Sequence, residues 1–224
     1  MNLRNKLICG VDEAGRGPVI GPLVIGFVSL DDEGRERLKE LGVRDSKRVS
    51  KKRRIELEPI IKETAREWKT VKIKAREIDF LRKRHSLNQI EAMKIAETLL
   101  ELEHKPKMVI VDSIDSIAND YKKRIIHCIN SLRKEFEVPE IISEHRADDK
   151  YIEVSAASII AKVERDREIE KIKEQYGDFG SGYPADELTR EFIRKLIRCG
   201  ELPEFVRRSW NTLDRGRQTN LSDF

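Results

Sequence analysis

The sequence predicts an α/β fold: a mixed β-sheet flanked by helices, with a C-terminal helical portion. Three observations carry that expectation. Two short apolar runs near the N-terminus, Lys6–Val11 and Leu23–Leu30, are separated by a glycine- and proline-rich turn. Further along, apolar β-branched runs alternate with segments of helical periodicity. The last third carries helical patterns. Strands first, then strands alternating with helices, is the order that a mixed sheet with covering helices produces.

Taken in order, Lys6–Val11 reads as a short buried strand that ends at Asp12, and Leu23–Leu30 as a second. The short turn Gly15–Pro22 between them predicts antiparallel pairing. Ser50 is placed to cap a helix running to Trp68, with Leu57, Ile60, Ile61, Thr64 and Trp68 on one face and Pro59 expected to kink or divide it. Val71, Ile73 and Ala75 alternate as a strand. Ser86 opens a stronger helix that turns Leu87, Ile90, Met93 and Ala96 toward a core. Met108–Val111 is a buried strand that, like the first, ends in an aspartate, Asp112. Asp120–Phe136 has Ile125, Cys128, Ile129, Leu132 and Phe136 at helical spacing, and Val138–Ser143 reads as a strand. A long helix is expected from Val154 to Tyr176, stopped by Gly177, and another from Asp186 to Cys199, stopped by Gly200.

Length and composition bound the function. A chain of 224 residues with 38% hydrophobic residues supplies one large domain, here expected over residues 1–200 with an extension over 201–224. Charged residues also make up 38%, against roughly 25% in ordinary soluble domains, an excess of the kind thermophilic proteins carry. A net charge of +4 permits nucleic-acid binding without demanding it. Cys9, Cys128 and Cys199 lie far apart, without metal-ligand spacing or an even count for a disulfide frame, so a reducing cytoplasm is expected. No apolar stretch approaches the ~20 residues of a membrane span.

The chemistry is concentrated in carboxylates. Asp12-Glu13 and Asp112 stand where apolar strands end, the edge at which open α/β sheets gather ligands. Asp148 and Asp149 precede the long helix. Clustered carboxylates repel and are costly to desolvate, so a cluster implies a cation, and oxygen-only ligands favour Mg²⁺ or Mn²⁺ over zinc. An aspartate at a strand end also serves as a turn former or helix cap, so spacing leaves both roles open. The glycine turn, Gly15-Arg16-Gly17-Pro18-Val19-Ile20-Gly21, is not a dinucleotide loop: its third glycine falls one position late, and a strand follows where a helix is required. Glycines around an arginine do let backbone groups approach a sugar-phosphate closely.

Together these residues resemble type 2 ribonuclease H, also called ribonuclease HII, particularly its archaeal form. The matching text is Gly10-Val11-Asp12-Glu13-Ala14-Gly15-Arg16-Gly17-Pro18, Asp45-Ser46-Lys47, Val111-Asp112, Ala147-Asp148, the run Ser155–Val163, Arg165-Asp166-Arg167 and Gly180-Ser181-Gly182-Tyr183-Pro184, in order from Gly10 to Trp210. The resemblance implies a ribonuclease H-like fold with the C-terminal helical portion over the substrate groove. It also implies an endoribonuclease that uses two ions of Mg²⁺ or Mn²⁺ to cut the RNA strand of RNA/DNA hybrids and the 5′ side of single ribonucleotides in duplex DNA, leaving a 3′-hydroxyl and a 5′-phosphate. By the same match Asp12, Glu13, Asp112 and Asp148 are the catalytic metal ligands. Asp148 is preferred to Asp149 because it lies at the family's offset, seven residues before Ser155. Gly15, Arg16 and Gly17 resemble the family's reader of the ribose 2′-hydroxyl, Tyr183 its sugar-packing tyrosine, and Lys47, Ser158 and Lys162 its phosphate contacts.

Two other functions compete. A non-catalytic nucleic-acid binder has no use for carboxylates that repel phosphate. A ribonuclease H-like nuclease acting on DNA alone has no need of a 2′-hydroxyl reader. The chain is expected to act as a monomer. Its tail resembles a sliding-clamp docking motif, with Gln218, Leu221 and Phe224 as the contacts; the last two fall on one side of a helical turn.

Overall fold

The computed structural model describes residues 6–43, 49–200 and 202–210. The elements run β1 (Ile8–Ala14), β2 (Leu23–Leu30), α1 (Asp32–Glu40), α2 (Lys51–Thr64), β3 (Glu67–Ile73), α3 (Ala75–Leu81), α4 (Leu87–Glu101), β4 (Met108–Asp112), α5 (Ala118–Leu132), β5 (Glu140–Glu144), α6 (Ala147–Lys150), α7 (Ile152–Tyr176) and α8 (Glu187–Arg198). The strands form one five-stranded sheet in the order β3-β2-β1-β4-β5. β1 pairs antiparallel with β2, while β1–β4 and β4–β5 are parallel, so the sheet is mixed, as expected.

The differences from expectation are local. β1 does not stop at Asp12: Asp12, Glu13 and Ala14 pair with Gly26, Ile25 and Val24, because the antiparallel partner continues opposite them. Residues 15–22 are more than a tight turn, since Ile20 forms an isolated bridge to Val206. α2 keeps Pro59 inside a single helix and ends at Thr64, short of Trp68. The backbone becomes extended at Ala65 to enter β3, and Trp68 instead meets the Lys62 ammonium at 4.0 Å. Ala75, the last member of the alternation read as a strand, begins α3. The acidic helix α1 lacked an apolar period, as only Gly34 and Leu38 are buried, and its signal was instead the Asp31 cap on the Gly34 amide at 2.9 Å. α5 closes at Leu132, which is exposed, so the apolar period stops at Ile129.

Contacts divide the chain into two units. One comprises Met1–Ala14, Val24–Val71 and Ser86–Glu164; the other comprises Gly15–Leu23, Lys72–His85 and Arg165–Phe224. In the first, Val28, Leu30, Leu38, Leu57 and Ile61 pack with Ala156, Ile159, Ile160 and Val163 of α7, and Ile8, Met108 and Ile110 pack with Ala147 and Val154. The approach of α7 to the sheet depends on missing side chains. A Cβ at Gly10 would lie 2.1 Å from the Glu153 carbonyl carbon, and one at Gly26 would lie 2.4 Å from the Ala157 oxygen. Only glycine at those positions, against the small residues Ser155–Ser158, lets helix and sheet backbones come so close. The second unit has its own core of Val19, Ile20, Ile169, Phe179, Ile193 and Val206. Among the described residues no helix is long and apolar enough to cross a membrane.

Candidate active site

In the first unit, strand register sets the carboxylates. Val11 lies opposite Val111 in the parallel β1–β4 pair, so Asp12 and Asp112 follow side by side. Side chains alternate along a strand, which puts Asp12 on the same face as Gly10, the face covered by α7. Four residues apart on α7, Ser158 and Lys162 both act on Asp12. Burial raises the Asp12 carboxyl from 3.8 to about 7, and the charge of Asp112 adds to the rise. The Ser158 hydroxyl, the Glu13 backbone amide and Lys162 oppose it; that amide donates to Asp12 Oδ1 at 2.8 Å. Ser158, expected from the resemblance to contact phosphate, is instead fully buried and acts on Asp12, while Lys162 is half-buried.

Asp112 Oδ1 accepts the Ala147 backbone N–H at 2.8 Å, which ties the end of β4 to the start of α6. Arg146 makes that junction in the left-handed conformation, at φ 57°. The turn separates the two adjacent aspartates. Asp148 is buried at 3% exposure, whereas Asp149 pairs with Arg146 Nε at 2.9 Å. Glu13, next after Asp12 on the strand, is half-buried. Among the described residues no three His, Cys, Asp or Glu side chains close into a ready-made metal cage. The donors nevertheless fit a hard divalent cation: they are oxygens only, and buried Asp12 meets the charge of half-buried Asp112, where an added positive charge relieves their repulsion.

In the second unit, the glycine turn and the loop around Tyr183 are built together. Gly15 has φ 82°, and a Cβ there would strike the Pro22 oxygen at 2.7 Å. The Tyr183 ring lies 3.2 Å from where a Cβ of Gly17 would stand, and the ring remains 44% exposed. The Val19 amide donates to the Gly182 oxygen at 2.8 Å, and the Gly182 amide donates to Thr189 Oγ1 at 3.0 Å. Asp186 caps α8 and accepts both the Ser181 amide and hydroxyl at 2.7 Å. Arg16 is half-buried. Sequence reasoning missed Thr189 and, behind the turn, Arg207 and Trp210. Each is an isolated polar or aromatic residue with no period to mark it. Lys47, Gln218, Leu221 and Phe224 lie outside the described residues.

The mixed five-stranded sheet with its flanking helices is the ribonuclease H-like fold. The ribonuclease HII family matches residues 9–213, and the chain belongs to that family; it is a ribonuclease H hydrolase. Ribonuclease HII of Pyrococcus horikoshii is 45% identical over 92% of this chain and 90% of that protein. A crystal structure of ribonuclease H2 from that organism superposes with a TM-score of 0.86 at 42% identity, covering 95% of this chain and 97% of the other. Ribonuclease HII of Archaeoglobus fulgidus, solved in complex with PCNA, matches with a TM-score of 0.80 at 41% identity, covering 91% of this chain and 95% of the other. The fold extends to Bst-RNase HIII, solved with Mn²⁺, at a TM-score of 0.81 and 21% identity over 97% of this chain and 71% of that one.

Proposed function

We propose that the protein is an endoribonuclease that hydrolyses the RNA strand of RNA/DNA hybrids and cuts on the 5′ side of single ribonucleotides in duplex DNA. The observation that carries this reading is buried Asp12 beside half-buried Asp112, with buried Asp148 following the amide that Asp112 holds. Asp12, Glu13, Asp112 and Asp148 would hold two Mg²⁺ or Mn²⁺ ions. When bound, such a pair supplies a nucleophilic water and neutralises the charge of the leaving oxygen. The P–O3′ bond on the 5′ side of the ribonucleotide breaks as water oxygen bonds to phosphorus, leaving a 3′-hydroxyl and a 5′-phosphate.

The chain's own residues orient and select. The Glu13 amide holds Asp12, with Ser158 acting on it from α7, and Lys162 and Lys47 would contact phosphate. Gly15, Arg16 and Gly17 meet the ribose 2′-hydroxyl, the group that tells RNA from DNA, and Tyr183 packs on the neighbouring sugar. The three cysteines are free, in keeping with a reducing cytoplasm, and the reaction suits replication and ribonucleotide repair. The deciding experiment incubates the protein with a DNA duplex carrying one ribonucleotide, with and without Mg²⁺ or Mn²⁺, and maps the cut. Cleavage of the all-DNA duplex at the same rate would sink the reading.

The tail Gln218–Phe224 is proposed to dock on a sliding clamp, Leu221 and Phe224 filling an apolar pocket while Gln218 hydrogen-bonds beside it. PCNA binding by the Archaeoglobus relative supports this. Deleting Gln218–Phe224 should leave cleavage of a free short duplex unchanged and abolish binding to the cognate clamp. Clamp binding that survives the deletion would refute it.

A further inference from the structure

Arg207 is fully buried, the largest side chain in the described residues without solvent access. A buried guanidinium is tolerable only where its N–H groups meet acceptors. Here the acceptors are the backbone of the glycine turn. Nε donates to the Gly21 oxygen at 2.9 Å, Nη1 to the Arg16 oxygen at 2.9 Å and Nη2 to the Gly15 oxygen at 2.5 Å. The Arg207 backbone amide donates to the Val19 oxygen at 2.9 Å. Trp210 completes the support: its ring lies 4.8 Å from the guanidinium carbon, and its Nε1–H donates to the Gly17 oxygen at 3.0 Å. Side chains from the end of the described chain therefore hold the carbonyls of Gly15, Arg16, Gly17 and Gly21.

A turn with glycines at 15 and 17 and a positive φ at Gly15 has more backbone freedom to lose than one built of ordinary residues. Recognition of one hydroxyl requires donors and acceptors fixed to within roughly 0.5 Å. The rigid planar fork of arginine can serve three carbonyls at once; a lysine ammonium is a point charge on a flexible stem and cannot reproduce that fork. We propose that Arg207 and Trp210 are positioning residues of the ribose-reading turn. Without touching substrate, they hold Gly15–Gly17 in the geometry that separates a ribonucleotide from a deoxyribonucleotide. This rests on the reading of that turn as the ribose contact.

The test measures binding of two matched duplexes, one all-DNA and one with a single ribonucleotide, in an Asp148→Asn background so that neither is cut. The readout is the ratio of the two Kd values. Arg207→Lys should reduce the ratio about tenfold and Trp210→Phe, which keeps the ring, about threefold, the size of one or two lost hydrogen bonds. The Kd for all-DNA duplex should not change. With the carboxylates intact, Arg207→Lys should lower kcat on the ribonucleotide substrate at an unchanged Mg²⁺ midpoint. A general structural role would weaken both duplexes equally, and that outcome, or an unchanged ratio in both variants, overturns the proposal. If the Asp148→Asn protein with its turn unaltered binds the two duplexes alike, the ribose reading itself fails and the proposal falls with it.

Discussion

The carboxylate region and the glycine turn solve opposite physical problems. Around Asp12, the sheet register and the close-packed α7 press negative charge into a buried space, and burial with Asp112 pushes the Asp12 carboxyl up to about 7. Around Gly15–Gly17, the backbone carbonyls are satisfied, since Arg207 and Trp210 donate to those of Gly15, Arg16 and Gly17. The first region gathers like charge that a cation would relieve, and the second is tied down by its own hydrogen bonds. Chemistry at a phosphate calls for the former, and discrimination of one hydroxyl calls for the latter.

The sharpest way to break this comparison is to remove charge from the first region. Asp148→Asn should cut turnover by more than about 100-fold, since even partners one shell removed from a metal cost 10- to 100-fold. Asp149→Asn, whose carboxylate faces Arg146, should change turnover by less than about threefold, within the effect of an exposed ion pair. Equal losses in the two variants would show that burial does not separate their roles.

The next effect is on folding. Gly10→Ala should destabilise the protein by about 3 kcal/mol, read by denaturant titration, because its Cβ meets helix backbone rather than a movable side chain. Comparable stability would mean that α7 sits further from β1 than the packing requires.

The charge itself has a pH signature. The folded-state carboxyl of Asp12, near 7, exceeds its unfolded value of 3.8, so between those values the folded protein binds more protons than the unfolded chain. The contribution of Asp12 to metal-free stability should therefore be fully present below about pH 4 and be lost as pH rises through 7, by roughly 2–4 kcal/mol in all. Asp12→Asn should flatten that slope, and added Mg²⁺ should offset it at pH 8. Thermal melts across pH 4–8 that show no difference between the two proteins would remove the argument for trapped negative charge.

In the second region the expected effect is smaller and of another kind. Tyr183→Ala should reduce kcat/KM on a single-ribonucleotide duplex about tenfold, the scale of one lost packing or polar contact at the sugar. The Mg²⁺ midpoint should stay where it is. A shifted midpoint would mean that the two regions do not divide the work as described.

Much of this was legible in the sequence because it follows from local chemistry. The caps Ser50, Ser86 and Asp186 are side chains that satisfy nearby amides, and the stops Gly177 and Gly200 adopt the positive φ that ends a helix. Leu23–Leu30 was readable as a strand from its mostly apolar, β-branched run, and Asp12 and Asp112 could be singled out because they follow such runs. Other features exist only after folding. β1 continues through Asp12 and Glu13 because β2 offers partners there. The choice between Asp148 and Asp149 is expressed as burial only through the left-handed turn at Arg146. Arg207 had no local signal, because its partners lie in a segment near the other end of the chain and a hydrogen bond to a backbone carbonyl leaves no mark on the residue that accepts it. Sequence thus determined which residues could carry the chemistry. Tertiary structure decided which are buried, paired and aimed, because burial and long-range hydrogen bonding depend on distances that neighbours along the chain do not encode.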